Sequence, residues 1–173
     1  MNTHFTTERL SLQPLKLADA GFIFQLVNTA TWLQFIGDRK VGAVKDAEAY
    51  IQKILGNPAI RYWVVKLKDQ EIPIGTITLI QRDYLPHPDI GFAFLPEYGK
   101  KGYAFEATNI VLHTFLEDPL FATIMATAAP DNINSIQLLE KLGLTFKEKI
   151  EVEGKTLVLY RIVANDIDQI PKL

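Results

Sequence analysis

No cysteine occurs in the 173-residue sequence, which excludes disulfides, thiolate metal sites and any mechanism that holds an acyl group on an enzyme thiol. Histidine is scarce too: His4, His87 and His113 lie far apart and none belongs to a two-histidine helical pattern such as H-E-x-x-H, so no metal is expected. No apolar run approaches the roughly 18 residues needed to cross a bilayer. The polar start Met1-Asn2-Thr3-His4, followed by apolar stretches broken at Lys16 and Asp19, does not read as a signal peptide. The expectation is a soluble, cytoplasmic protein with no membrane partner. Nor is there an excess of positive charge: the net charge is −2 and the pI near 5.9, which offers no sequence-independent attraction to nucleic acid. Any basic site must be local. Internal repeats, linkers and low-complexity tracts are absent as well. With 48% hydrophobic and 22% charged residues, residues 1–173 are expected to fold as one globular domain with a sizeable core.

What is present alternates between two periods. Glu8 to Leu15 reads as a first strand with Leu10, Leu12 and Leu15 inward. Asp19 to Val27 carries Phe22, Ile23, Leu26 and Val27 on one helical face, and Lys45 to Leu55 carries Ala47, Tyr50, Ile51 and Ile54, stopped by Gly56-Asn57-Pro58. Between these helices, residues 31–39 are aromatic but not periodic. Ile60 to Lys68 and Ile72 to Gln81 are rich in β-branched residues and flank a polar turn, the pattern of a hairpin. Asp89 to Leu95 is a fourth strand. A helix then runs to about Glu117 with Ala107, Ile110, Val111, Thr114 and Phe115 along one face. Phe121 to Ala128 is a fifth strand, Asp131 to Leu142 a helix capped by Asp131 or Asn132 and stopped at Gly143, and two further strands, Thr145 to Val152 and Thr156 to Val163, turn at Glu153-Gly154-Lys155. The crossover between the fourth and fifth strands makes that pair parallel, whereas hairpins make the rest antiparallel. The expected fold is α/β, or α+β by stricter usage: a mixed, mostly antiparallel sheet of about seven strands with helices on both faces.

The connection into the fourth-strand helix, Pro96-Glu97-Tyr98-Gly99-Lys100-Lys101-Gly102-Tyr103-Ala104, is cationic, poor in side chains and ends at a helix N-terminus. Neither the Walker pattern G-x-x-x-x-G-K-[ST] nor the dinucleotide pattern G-x-G-x-x-G is present. The turn reads either as an anion cradle, with the amides of about Lys101 to Ala104 as orphan donors, or as a lysine-bearing connection with a glycine for packing.

Two segments settle on a resemblance. The run from Asp89-Ile90-Gly91-Phe92 to Gly99-Lys100-Lys101-Gly102-Tyr103-Ala104 is similar to the acetyl-CoA signature of the GNAT acetyltransferase superfamily, whose loop is Q/R-x-x-G-x-G/A. Gly102 and Ala104 fit it, and Gly99 replaces the Gln or Arg. The segment from Asn132 through Ser135, Leu138-Leu139 and Lys141-Leu142-Gly143-Leu144 resembles the family's N-x-x-S-x-x-L-L-x-K-L-G-[FL] motif. Thr7-Glu8-Arg9-Leu10 and Ile36-Gly37-Asp38-Arg39 are similar to the branch that includes the ribosomal-protein N-terminal acetyltransferases.

The resemblance implies a GNAT fold and acetyl-CoA as cosubstrate. The cofactor's pyrophosphate would sit on the turn formed by Gly99, Lys100, Lys101, Gly102, Tyr103 and Ala104. Its pantetheine arm would pair with the backbone of the fourth strand at Phe92, Phe94 and Leu95, and touch Asn132, whose other reading is a plain helix cap, the two roles being compatible. The implied chemistry is acetyl transfer to a primary amine. An alkylammonium of pKa near 10 must first lose a proton; Asp89, at the position where related enzymes carry a glutamate base, is the candidate, acting through water, and its alternative reading is a solvated strand-entry residue. The oxyanion would be held by the amide of Phe94 or Leu95. Leu139 occupies the family's tyrosine position, leaving Ser135 or water to protonate the CoA thiolate, with small-residue packing as the other reading of Ser135.

In the fold the resemblance implies, the acceptor enters from the side formed by the first two helices and the last hairpin, so Trp32, Phe35, Asp38 and Arg39 are its expected contacts. Trp32 and Phe35 also read as packing, and Asp38 either attracts a cationic amine or pairs with Arg39. The expected acceptor is a small-molecule amine; the alternatives are a protein N-terminus and a non-catalytic acetyl-CoA-binding module. A homodimer is among the assemblies the resemblance leaves open.

Overall fold

The computed structural model describes residues 4–170. Its eight strands form one sheet in the order β1-β2-β3-β4-β5-β6-β8-β7. They are β1 (Phe5–Thr6), β2 (Leu10–Pro14), β3 (Ile60–Leu67), β4 (Ile72–Ile80), β5 (Asp89–Phe94), β6 (Thr123–Ala128), β7 (Thr145–Val152) and β8 (Lys155–Val163). The helices are α1 (Ala20–Val27), α2 (Ala30–Phe35), α3 (Val44–Leu55), α4 (Tyr103–Leu116) and α5 (Ile133–Lys141). The strand called fourth from the sequence is β5, because a two-residue strand, Phe5–Thr6, pairs antiparallel with β2 ahead of it. Two residues are too few to show alternation. No helix among the described residues is long and apolar enough to cross a membrane.

Two hydrophobic layers sandwich the sheet. On one face α4 and α5 pack through Ala107, Val111, Phe115 and Leu139 onto Leu12, Val65, Ile77 and Ile124. On the other, α1, α2 and α3 pack through Ile23, Leu26, Trp32 and Ile51 onto Tyr62, Val64 and Leu95. Leu15, expected inward on the first strand, follows β2 and belongs to the second layer. The face of α4 is rotated from the one expected: Ile110 and Thr114 are half-buried, while Thr108, Leu112 and Leu116 are buried. The aromatic segment 31–39 contains most of α2, a helix too short to show a period, capped by the Thr29 hydroxyl, which accepts from the Trp32 amide at 3.3 Å.

Two strand contacts prepare the site. Gly75 of β4 stands opposite Phe94 of β5, and a Cβ there would lie 2.4 Å from the Phe94 ring, so the glycine is what lets that ring lie across the neighbouring strand. β5 and β6 run parallel but share a single register pair, Asp89↔Met125, next to the Met125 amide donating to the Pro88 carbonyl at 2.8 Å. Beyond it the two strands are no longer paired.

Candidate active site

The parting of β5 from β6 leaves backbone without a partner. Leu95 donates its amide to the Ile74 carbonyl at 2.9 Å, and Leu95 follows Phe94 in the register with Gly75. Antiparallel strands direct alternate residues to opposite neighbours, so the amides and carbonyls of Phe92 and Phe94 turn toward β6, into the opening. This corrects one expectation: the Leu95 amide is already engaged with β4, and of the two expected oxyanion donors only that of Phe94 faces the opening.

A cleft of about 450 Å³ continues from this opening. Its walls include Phe92 and Phe94, then Asn132, Ser135 and Leu139 of the α5 segment, and Asp89 at the root of the strands. Asn132 caps α5, its Oδ1 accepting from the Ser135 amide at 3.3 Å. Asp89 is buried, at 3% exposure. Its Oδ2 accepts from Arg82 Nε at 3.0 Å and its Oδ1 from the Thr127 amide at 3.1 Å. Burial raises the Asp89 carboxyl above the ordinary carboxylate range, against the opposing pull of Arg82 and Thr127. The reading of Asp89 as a solvated strand-entry residue is thereby corrected.

At the far end of β5 the chain passes through a 3-10 turn, Pro96–Tyr98, and reaches α4. Gly102 is the N-cap in the left-handed region at φ 80°, and Lys100 before it has φ 57°. Among the described residues no acceptor is found for the amides of residues 100–102; with the first amides of α4 they form a row of free donors at the positive end of a 14-residue helix. These residues therefore fit an anionic diphosphate. The turn is braced from the beginning of the sequence. Arg9 donates through Nη1 to the Lys101 carbonyl at 3.0 Å, and its guanidinium lies 4.6 Å from the centre of the Tyr103 ring. The same guanidinium grips the buried Glu106, with Nε at 2.7 Å and Nη2 at 2.6 Å from Oε2. The Thr7 hydroxyl and the Arg9 amide donate to Oε1. Lys101 folds its ammonium 5.4 Å from the centre of the Tyr98 ring.

Burial alone would raise the Glu106 carboxyl; Thr7, the Arg9 amide and the Arg9 guanidinium outweigh it and hold the group below its ordinary value. The stability this carboxylate contributes is thus present above the unfolded-state value near 4.3 and lost as pH falls through the lower folded-state value. Asp89 has the opposite sign, favouring the folded state most when protonated. Glu106→Gln is expected to lower unfolding free energy by about 2 kcal/mol at neutral pH, the scale of hydrogen bonds to a charged group. Urea titrations should show the difference from wild type shrinking in acid.

The cleft's other wall is where the acceptor was expected. Trp32, Phe35 and Arg39 line it. Trp32 is also a core residue whose indole donates to the Gly37 carbonyl at 3.1 Å. Asp38 does not line the cleft: Lys40, at φ 56°, brings its ammonium to 2.7 Å from the Asp38 carboxylate, so the expected pairing with Arg39 is corrected to Lys40. Three features escaped the sequence reading. Arg9 lay in a recognised segment, but its tie to Glu106 had no local signal. The Arg82–Asp89 pair and the buried phenol of Tyr62, which lines the same wall as Arg39, had none either.

Residues 9–145 match the model of the acetyltransferase (GNAT) domain. The chain belongs to the GNAT acetyltransferases, which transfer an acetyl group from acetyl-CoA to an amine. It is 29% identical over 141 residues to the uncharacterized N-acetyltransferase YnaD of Bacillus subtilis (strain 168), covering 82% of each chain. Among solved structures, the ribosomal-protein-S5-alanine acetyltransferase of Vibrio fischeri superposes with a TM-score of 0.79 at 19% identity, over 95% of this chain and 98% of that one. The spermidine N-acetyltransferase of Vibrio cholerae, in complex with CoA and spermine, gives 0.78 at 21% identity, over 93% and 99%. At these identities the two structures share the fold.

Proposed function

We propose that this chain acetylates a small-molecule primary amine by direct attack within a ternary complex. The observation that carries the reading is the unpaired opening between β5 and β6, bounded by free backbone at Phe92 and Phe94 and rooted on a buried carboxylate. In it, a pantetheine arm adds to β5 as a short strand would, and the side-chain NH2 of Asn132 is available to the arm while its Oδ1 caps α5. The pyrophosphate lies on the amides from Lys100 to Ala104, with Gly99 giving the backbone room to approach and Lys100 and Lys101 adding charge.

The acceptor amine loses a proton through water to Asp89. Its nitrogen then bonds to the thioester carbonyl carbon, whose oxygen takes the negative charge and is met by the Phe94 amide. As the tetrahedral species collapses, the nitrogen gives up its second proton, the carbon–sulfur bond breaks and the thiolate leaves; Ser135, whose Oγ has no partner among the described residues, supplies the thiolate's proton and is restored through solvent by the one the nitrogen released. A cleft of about 450 Å³, shared by the arm and the acceptor, suits a small amine.

The test is thiol release from acetyl-CoA against small amines and against peptides with free N-termini. Faster release with small amines is expected. Release with peptides alone would instead indicate a protein N-terminal acetyltransferase, and binding of acetyl-CoA without release to any amine a binding module.

A further inference from the structure

The cleft has two unlike walls. On the side of β6 and the β7–β8 turn its charges occur in both signs: Asp89 paired with Arg82, and Glu153 near Lys155. The opposite wall, built from α2, the segment after it, α3, β3 and β4, holds one ionised side chain, Arg39, and no carboxylate. Among the described residues no ion pair or hydrogen bond engages Arg39, and the neighbouring acid, Asp38, is taken by Lys40. In the same wall Tyr62 is a buried residue, and its hydroxyl, itself buried, has no hydrogen-bond partner among the described residues. Thr76 is close enough to influence that phenol without completing a hydrogen bond, and burial keeps the phenol protonated, hence a donor. A buried hydroxyl in a functional wall is ordinarily met by a ligand or an ordered water.

From this lone cation and this unmet hydroxyl we infer that the acceptor is an amine that also carries a carboxylate, read by Arg39 and Tyr62 while its amino group reaches the thioester. This rests on the acetyl-transfer reading above. A guanidinium presents a planar fork of donors that matches a carboxylate, and a phenol adds a third donor. A polyamine would need acids at the spacing of its ammonium groups; this wall places a single positive charge there instead.

The experiment compares thiol release from acetyl-CoA with ω-amino acids of increasing chain length (glycine, β-alanine, 4-aminobutyrate, 6-aminohexanoate), with α-amino acids, with the amide of each, and with spermidine. Wild type is expected to prefer carboxylates over their amides, with the best chain length reporting the reach from Arg39 to the thioester. In Arg39→Gln the carboxylate-to-amide ratio of kcat/KM should fall about ten- to hundredfold, the scale of charge-assisted hydrogen bonds, and Arg39→Glu should shift preference toward spermidine. Tyr62→Phe should raise KM for the carboxylate acceptor without lowering the melting temperature, since no hydrogen bond among the described residues is lost with that hydroxyl. Independently of turnover, the N-acetylated form of the best acceptor should bind wild type in the presence of CoA by calorimetry and bind Arg39→Gln more weakly. If spermidine or the amides are acetylated as well as the carboxylates, or if the Arg39→Gln ratio is unchanged, this inference falls while the acetyltransferase reading stands. If acetyl-CoA binds and no amine in the panel releases thiol, both fall.

Discussion

Gly102→Val is expected to weaken acetyl-CoA binding by about a hundredfold or more, with a much smaller effect on the fold. At φ 80° a β-branched side chain is forced out of its allowed backbone region, and a Cβ would stand 3.3 Å from Nη2 of Arg9. The left-handed conformation costs about 1–2 kcal/mol for a residue with a Cβ, and the segment can relieve that only by rotating peptide units at the turn. Those units carry the row of free amides. Losing two charge-assisted hydrogen bonds of roughly 1.5–3 kcal/mol each accounts for the expected loss. Gly102→Ala should fall between wild type and valine, because alanine tolerates the left-handed region better than a β-branched residue. Calorimetry with acetyl-CoA measures the effect, and affinity within about twofold of wild type in the valine variant, a change of roughly 0.4 kcal/mol, would remove the turn from the cofactor site.

Asp89→Asn is expected to lower kcat by about a hundred- to a thousandfold, the range of a positioned general base, and to leave acetyl-CoA affinity nearly intact, since Asp89 lies at the opposite end of β5 from the phosphate turn. Asparagine keeps the size of the side chain. Arg82, whose side chain is 38% exposed, can turn its charge to water when the carboxylate is gone. The pH profile supplies a second reading. A base works deprotonated, so kcat/KM should rise with pH through the Asp89 value, and burial places that limb above the ordinary aspartate value of about 3.9. The limb should be missing from Asp89→Asn. Wild-type turnover in the variant would reduce Asp89 to a structural partner of Arg82 and Thr127.

Elements long enough to show a period were legible in the sequence. The hairpin of β3 and β4 followed from β-branched runs around a polar turn, and α3 from Ala47, Ile51 and Ile54 on one face. β1 and α2 were not, being shorter than the repeats that would reveal them. The face of α4 was misjudged because Glu106, Thr108 and Asn109 are buried polar residues, and burial of a polar side chain depends on a partner that pattern does not show. The turn before α4 and Asp89 were singled out through motif spacing, which is local. Arg9 and Glu106 are 97 positions apart, and Arg82 reaches Asp89 only because the loop after β4 turns back. Such pairings are products of the closed fold. Asp38 shows the same limit at short range: whether it meets Arg39 or Lys40 is decided by one positive φ, at Lys40.

The brace that Arg9 and Thr7 provide to the turn has a consequence for how this enzyme comes into being. Contacts spanning 97 and 99 positions cannot form until more than half of the chain has been made and has come together. If the turn holds the nucleotide as proposed, that capacity therefore arises only once Glu106 has been made and has met Thr7 and Arg9.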